Sequence, residues 1–255
     1  MNFKSVLVLS LFSCATIISF SGCSKNDSVT QLPPINGANN KITGYSGKDF
    51  LGAISFNSLK IEIQYMPGFQ PDAASVNNIT TFLNSLINKP GGITVTQQQI
   101  PTGGKDTYSI NEIAAIEQNN RSNFNSGSQL AVYVLIADGD YSDPNVLGVA
   151  YRNTSLCLFG KKIFDNSGGI GQASRTKLVT TVAEHEFGHL LGLVDLGTAM
   201  QTDHKDAAHG NHCNVQDCLM YYASETTDLF GFLLTGSIPS LDAQCTNDLK
   251  SSGGK

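Results

Sequence analysis

The sequence predicts an α/β fold, a twisted and mostly parallel sheet with helices packed on it. Three observations lead there. Strand-like and helix-like periodicities alternate between Leu59 and Ala137 in the order β-α-β-α-β, which places helices over the sheet faces. Leu130 to Ala137 is a nearly continuous apolar run, as a strand covered on both faces requires. The segment from about Arg175 to Leu191 carries Leu178, Val179, Val182, Phe187, Leu190 and Leu191, a wide apolar surface that belongs on a buried helix.

Residues 1–22 combine one early cation, Lys4, with an apolar run from Val6 to Phe20 and the small pair Ser21-Gly22. That pattern is an export signal, too short and wrongly flanked for a membrane span. Residues 23–48 are rich in Ser, Asn, Gly and Pro and read as a flexible tether, which leaves 49–255 as the folded domain. Within it, Leu59-Lys60-Ile61-Glu62-Ile63-Gln64-Tyr65 alternates strictly, a strand with one solvated face that ends at Pro67-Gly68. Asp72 to Asn88 spaces Val76, Ile79, Phe82, Leu83, Leu86 and Ile87 at helical period. Ile93 to Ile100 is a second strand, and Ser109 to about Phe124 a second helix.

Asp138, Asp140 and Asp143 lack the spacing of a calcium loop and read as a turn. Val146 to Tyr151 and Ser155 to Phe159 are short strands, a hairpin at the sheet edge. Gly168 to Gly171 has no following Lys-Ser/Thr for a phosphate, and feeds the turn before Ser174, the N-cap of the next helix. That helix runs to Leu191. Gly192 then stops it, since Gly takes positive φ readily. Pro239 to Lys250 reads as a closing helix.

The 255 residues suffice for one domain with tails. Without the signal and its Lys4, 15 basic and 21 acidic residues leave a net charge of −6, which argues against a nucleic-acid partner. Of six cysteines, Cys157, Cys213, Cys218 and Cys245 lie in the domain. In an oxidising compartment they allow up to two disulfides.

The chemistry concentrates in His185-Glu186-Phe187-Gly188-His189. Residues four apart share a helix face, so His185 and His189 aim two imidazoles at one point, with Glu186 one residue round. Two neutral imidazoles on a rigid helix make half of a tetrahedral zinc site, and the Glu remains free as a base for a metal-bound water. All five histidines fall between His185 and His212, in 28 of 255 residues. Ordinary core or surface histidines would scatter.

Extended to Gly192, this run resembles the signature of the metzincin clan of zinc peptidases, whose third ligand comes three residues later, here Asp195. Cys218-Leu219-Met220-Tyr221-Tyr222 looks like the clan's Met turn beneath the metal. A second resemblance competes. His212-Cys213 followed by Cys218-Leu219-Met220 is similar to the archaemetzincin run in which the third zinc histidine precedes the two cysteines and the methionine. There that histidine comes ten residues after the first; His212 lies 27 after His185, as if 17 had been inserted. The third ligand is therefore His212 or Asp195. Imidazole is the better donor and favours His212, with Asp195 then orienting a ligand or capping the helix end. His204 and His209, beside Asp203 and Asp206 in the same loop, read either as polar loop residues or as further metal donors.

Archaemetzincins carry further cysteines for a second, structural zinc. Only Cys245 follows the Met turn here, so no such site is expected, and Cys213 and Cys218 are available for oxidation. Similarly, the small residues before Cys23 resemble a bacterial lipobox, with Phe20 where Leu is usual. That resemblance implies a lipidated Cys23 and an exported protein anchored to a membrane of the cell envelope.

Together the resemblances imply a zinc-dependent endopeptidase acting on a protein or peptide. Glu186 would be the general base, Met220 the floor of the site, and Tyr222 a group meeting the metal or the oxyanion. Substrate would lie extended along the sheet edge near Val146 to Phe159. Two other readings stand beside it: a binding lipoprotein whose zinc is closed by four ligands, and a zinc amidase acting on cell-wall peptide.

Overall fold

The computed structural model describes residues 32–255. The export signal, Cys23 and the first part of the expected tether lie outside the described residues. In chain order the elements are α1 (Gly47–Leu51), β1 (Ser58–Tyr65), α2 (Ala73–Leu86), β2 (Ile93–Gln99), β3 (Thr107–Tyr108), α3 (Ile110–Asn120) and β4 (Gln129–Ala137). They continue with β5 (Asp140–Tyr141), β6 (Gly148–Arg152), β7 (Ser155–Phe159), α4 (Gly160–Asp165) and α5 (Arg175–Leu190). A 3-10 turn at Tyr222–Glu225, α6 (Leu229–Thr235) and α7 (Ala243–Ser251) follow.

The main sheet has the order β2-β1-β4-β7-β6. Every pair is parallel except β6 on β7, so the last hairpin reverses direction and makes β6 an edge. On one face, Ile61 and Ile63 of β1, Val132 and Val134 of β4 and Leu156 of β7 pack with Ile79 and Leu83 of α2 and Leu178, Val182 and Phe187 of α5. The opposite face joins Tyr133, Leu135, Cys157 and Phe159 to Ile113 and Ala114 of α3. Two covered faces are what the unbroken apolar run of β4 needs. Asp72 caps α2 by accepting from Ser75 N at 2.6 Å, and Ser109 with Glu112 forms a capping box on α3.

Two expectations are corrected. β1 has no solvated face, because it lies between β2 and β4 with α3 behind it. Its alternating polar residues are buried and bonded instead: Glu62 accepts from Asn123 N at 2.7 Å, and Gln64 accepts from Tyr133 Oη at 2.9 Å. Nor are residues 33–48 a free tether. Asn39 is fully buried, its amide reaching Thr154 Oγ1 at 2.9 Å, and Arg152 donates to the Pro33 carbonyl at 2.5 Å. Polar composition here serves the buried polar turn at Asn153–Thr154, so low hydrophobicity does not mean loose chain.

The predicted second helix stops at Asn120, short of Phe124. Arg121 turns inward there, its Nη1 lying 2.7 Å from the buried Glu117 carboxylate, which Arg152 Nε also approaches at 3.1 Å. Among the described residues no helix is long and apolar enough to cross a membrane.

Candidate metal centre

Helix α5 is capped by Ser174, whose hydroxyl accepts from Lys177 N at 3.2 Å, and every residue from Leu178 to Leu190 is buried. It lies across the sheet beside β6 and β7, so His185, Glu186 and His189 are presented by a rigid, fully packed scaffold. Gly192 follows with φ +82°, as the helix stop requires. The chain then loops out and returns through Cys213, whose N–H bonds the Met220 carbonyl at 2.7 Å.

That return brings Met220 under the helix. A Cβ built on Gly188 would stand 2.2 Å from Met220 Sδ, so the glycine is the space in which the methionine sits. It also delivers the third imidazole. The ring centroids of His185, His189 and His212 lie 4.7, 5.2 and 5.2 Å apart. His185 Nδ1 bonds the Leu219 carbonyl at 2.7 Å, and His212 Nδ1 the His209 carbonyl at 2.6 Å. A carbonyl only accepts, so each Nδ1 carries the proton and each Nε2 of the neutral ring keeps a lone pair.

A fourth group completes the cluster. The carboxylate of Glu225 lies 3.1 Å from His212 Nε2, 3.5 Å from His185 Nε2 and 3.8 Å from His189 Nε2. The candidate donor atoms of these four residues all fall within 4.8 Å of one another. His185 Nε2 and His212 Nε2 are buried without a hydrogen-bond partner, as are both Glu186 oxygens. Buried polar atoms left this way are costly unless a ligand satisfies them. Imidazole and carboxylate donors turned to one point, with carbonyl partners behind the His185 and His212 rings, suit zinc.

The electrostatics treat the rings differently: at His212 burial works against the proton but the Glu225 carboxylate outweighs it, so its pKa lies above the ordinary imidazole value. Burial lowers the His189 pKa to about 4 against the opposing pull of Glu225, with the charges of His185 and His212 adding to the fall, which keeps its ring neutral and able to donate a lone pair. Burial first and Glu225 second push the Glu186 carboxyl well above the usual carboxylate range. Burial would raise Glu225 too, but the three imidazoles hold it well below that range. Thr43, Val149, Ala150, Glu186, His189 and Glu225 border an open cleft of about 280 Å³ on this side of β6.

Of the two candidates for third ligand, the structure brings in His212 and leaves Asp195 out. Val194 and Asp195 both take positive φ, 49° and 69°. Asp195 is exposed and pairs with Lys205 Nζ at 2.8 Å. Tyr222 opens the 3-10 turn and stacks on His209, with ring centroids 3.7 Å apart. It is Glu225, three residues on, whose side chain reaches the imidazoles. Sequence reasoning passed over Glu225, and its place five residues after Met220 was the available signal.

Against the expectation of no second structural zinc site, the structure gathers a second candidate donor set, and the cysteines available for oxidation are free. Cys157, Cys213, Cys218 and Cys245 are all free and buried, and Cys157 lies apart in the core under α3. The other three meet beside Asp242, their donor atoms within 4.8 Å of one another. Cys218 Sγ and Cys245 Sγ are 3.6 Å apart; Cys213 Sγ is 3.4 Å and Cys245 Sγ 3.9 Å from His204 Nδ1. Zn–S bonds of about 2.3 Å in a tetrahedron imply S···S edges of roughly 3.8 Å and N···S edges of roughly 3.5 Å. Thiol hydrogen bonds from Cys213 and then Cys245 bring the Cys218 pKa down to about 4. His204 lies in the loop as expected but is fully buried, not solvated, its Nε2 held by Asp248 at 2.7 Å.

No protein-family model matches the sequence, and no curated protein matches it. Solved structures similar to this chain include an archaemetzincin from Methanopyrus kandleri, at 16% identity and TM-score 0.49 over 77% of this chain and 96% of that one. Another is metalloproteinase-II from Bacteroides fragilis, at 15% identity and TM-score 0.44 over 86% of this chain and 58% of that one. The likeness is loose, and the chemistry stands on the geometry above.

Proposed function

We propose that this chain is a zinc-dependent endopeptidase, exported and held at a membrane surface through lipid on Cys23. The observation that carries the enzymatic reading is the convergence of three imidazoles beside a fully buried, unpartnered Glu186, in a cleft at the sheet edge. His185, His189 and His212 would hold the metal. Once bound, zinc polarises a carbonyl oxygen and makes water acidic near neutral pH.

The chain's own groups do the rest. Glu186, with its raised proton affinity, takes a proton from the attacking water and passes it to the leaving amine. Main-chain bonds behind His185 and His212 keep their free nitrogens aimed at the site. Val149 and Ala150 of edge strand β6 line the cleft, so an extended peptide can add to the sheet there, whereas β7 is interior and offers no edge. The cluster of Cys213, Cys218, Cys245 and Asp242, with His204 beside it, would hold a second, structural zinc in this reading.

The deciding experiment measures zinc content and cleavage of an unstructured protein, with Glu186→Ala alongside. Zinc should stay while cleavage falls by about 10²–10⁴-fold, the contribution of one positioned acid/base. A Glu186→Ala protein as active as wild type sinks the peptidase reading. Anchoring is checked by palmitate labelling and detergent partition, which Cys23→Ser should abolish; an unlabelled, soluble wild type refutes it. Glu225 favours a second reading, a binding lipoprotein with zinc closed by four donors. Full zinc occupancy with no cleavage of any peptide would select it.

A further inference from the structure

We propose that Glu225 is a fourth donor to the metal in the substrate-free protein, so that the resting site is closed and an incoming substrate must displace this carboxylate. The inference rests on the metal site at His185, His189 and His212 proposed above. It assigns to Glu225 a role distinct from that of Glu186.

The placement of Glu225 is built into the backbone. Its carbonyl accepts from Leu147 N at 2.7 Å, and the Leu147 carbonyl in turn accepts from Phe159 N at 2.9 Å. Thr226 bridges to Val146. The 3-10 turn is thus tied to the base of the β6–β7 hairpin, at the mouth of the cleft, and its last side chain enters among the three rings.

Lone pairs decide what that carboxylate is doing. His185 and His212 each commit their Nδ1 proton to a carbonyl, so in the neutral rings both Nε2 atoms face Glu225 with lone pairs. A lone pair against a carboxylate oxygen is repulsive unless a metal ion or a proton lies between them, and neither Nε2 contact has the geometry of a hydrogen bond through a proton. Three donor–donor separations of 3.1, 3.5 and 3.8 Å, with none of them a hydrogen bond to His185 or His212 Nε2, describe edges around a common centre. A tetrahedral zinc with bonds of about 2.0–2.1 Å has edges of roughly 3.4 Å.

Exposure separates the two acids. Both border the open cleft, but Glu186 is 0% exposed whereas the Glu225 side chain keeps 19%. Glu225 therefore has solvent to swing into when displaced. Three protein donors leave a reactive position on zinc and four close it, so the position of this one side chain sets whether the metal is available.

The full chain loaded with cobalt(II) in place of zinc reports coordination through its visible spectrum without any reference to cleavage. Wild type should respond to azide only at high concentration. Glu225→Gln should respond at tenfold lower azide or less, and should release zinc to a chelator at about tenfold lower chelator concentration; Glu225→Asp should fall between. Equal azide response and equal zinc retention in wild type and Glu225→Gln would overturn the proposal. If Glu225→Gln does not fold, wild type still decides, since azide binding at low concentration means an open position. Failure here with wild-type cleavage intact leaves the peptidase reading standing. The expected spectra without cleavage by either protein remove that reading and keep Glu225 as donor.

Discussion

His185 and His212 each give one ring nitrogen to a main-chain carbonyl, and that bond decides which nitrogen faces the cleft. Asp195 has no such role. Its carboxylate is 60% exposed and paired with Lys205, a surface contact contributing at most about 1 kcal/mol. Asp195→Asn should therefore leave zinc content and chelator resistance unchanged. His212→Ala removes a donor outright and should lose zinc at chelator concentrations that Asp195→Asn tolerates. If Asp195→Asn sheds the metal while His212→Ala keeps it, the ligand set is wrong. The sequence left this pair open for a physical reason. Helix geometry fixes the relation of His185 to His189, but the loop between Gly192 and His212 has no periodicity that says where it returns. Glu225 was hidden in the same way, by a turn rather than a helix.

Helix α5 shows how far a repeating pattern carries an inference and where it stops. Its apolar spacing, its Ser174 cap and its Gly192 stop were all legible, because each expresses a local rule. β1 was misread on its second face, because strict alternation also describes a central strand whose Glu62 and Gln64 find buried partners. Short helices such as α4 and α6 have too few turns to show a period. Packing between α5 and the returning loop makes a sharper prediction. Ala in place of a mid-helix Gly normally stabilises by about 1 kcal/mol through propensity alone. At Gly188 the added Cβ would meet Met220 Sδ at 2.2 Å, so steric conflict should outweigh propensity. Gly188→Ala should lower the denaturation midpoint and weaken zinc retention. Met220→Ala in the same chain should relieve much of the first effect, giving a non-additive cycle. Additive losses, or a more stable Gly188→Ala, would show that the methionine does not pack there.

At the scale of the whole molecule, the two donor clusters are joined by one short run of chain. Cys218 contributes a thiol to the second cluster, the Leu219 carbonyl orients His185 in the first, and Met220 packs beneath α5 at Gly188. Helix α7 supplies Cys245, and its Asp248 holds His204, so the C-terminal helix is fastened to the same cluster. Metal bound there should stabilise the native state by mass action and also fix the run that aims His185. The protein purified with zinc should then contain about two ions per chain, one in each four-donor set. Cys245→Ser should fall to about one, melt at lower temperature, and lose some zinc affinity at the histidine site through the loosened Leu219. Cys157→Ser is the control, since that thiol is buried alone on the opposite face of the sheet and should leave the metal count at two. A thiol reagent should find Cys213, Cys218 and Cys245 protected until a chelator is added. If wild type and Cys245→Ser hold the same number of ions, or if the three thiols react freely in the zinc-loaded protein, the second centre does not exist and the cysteines are only core.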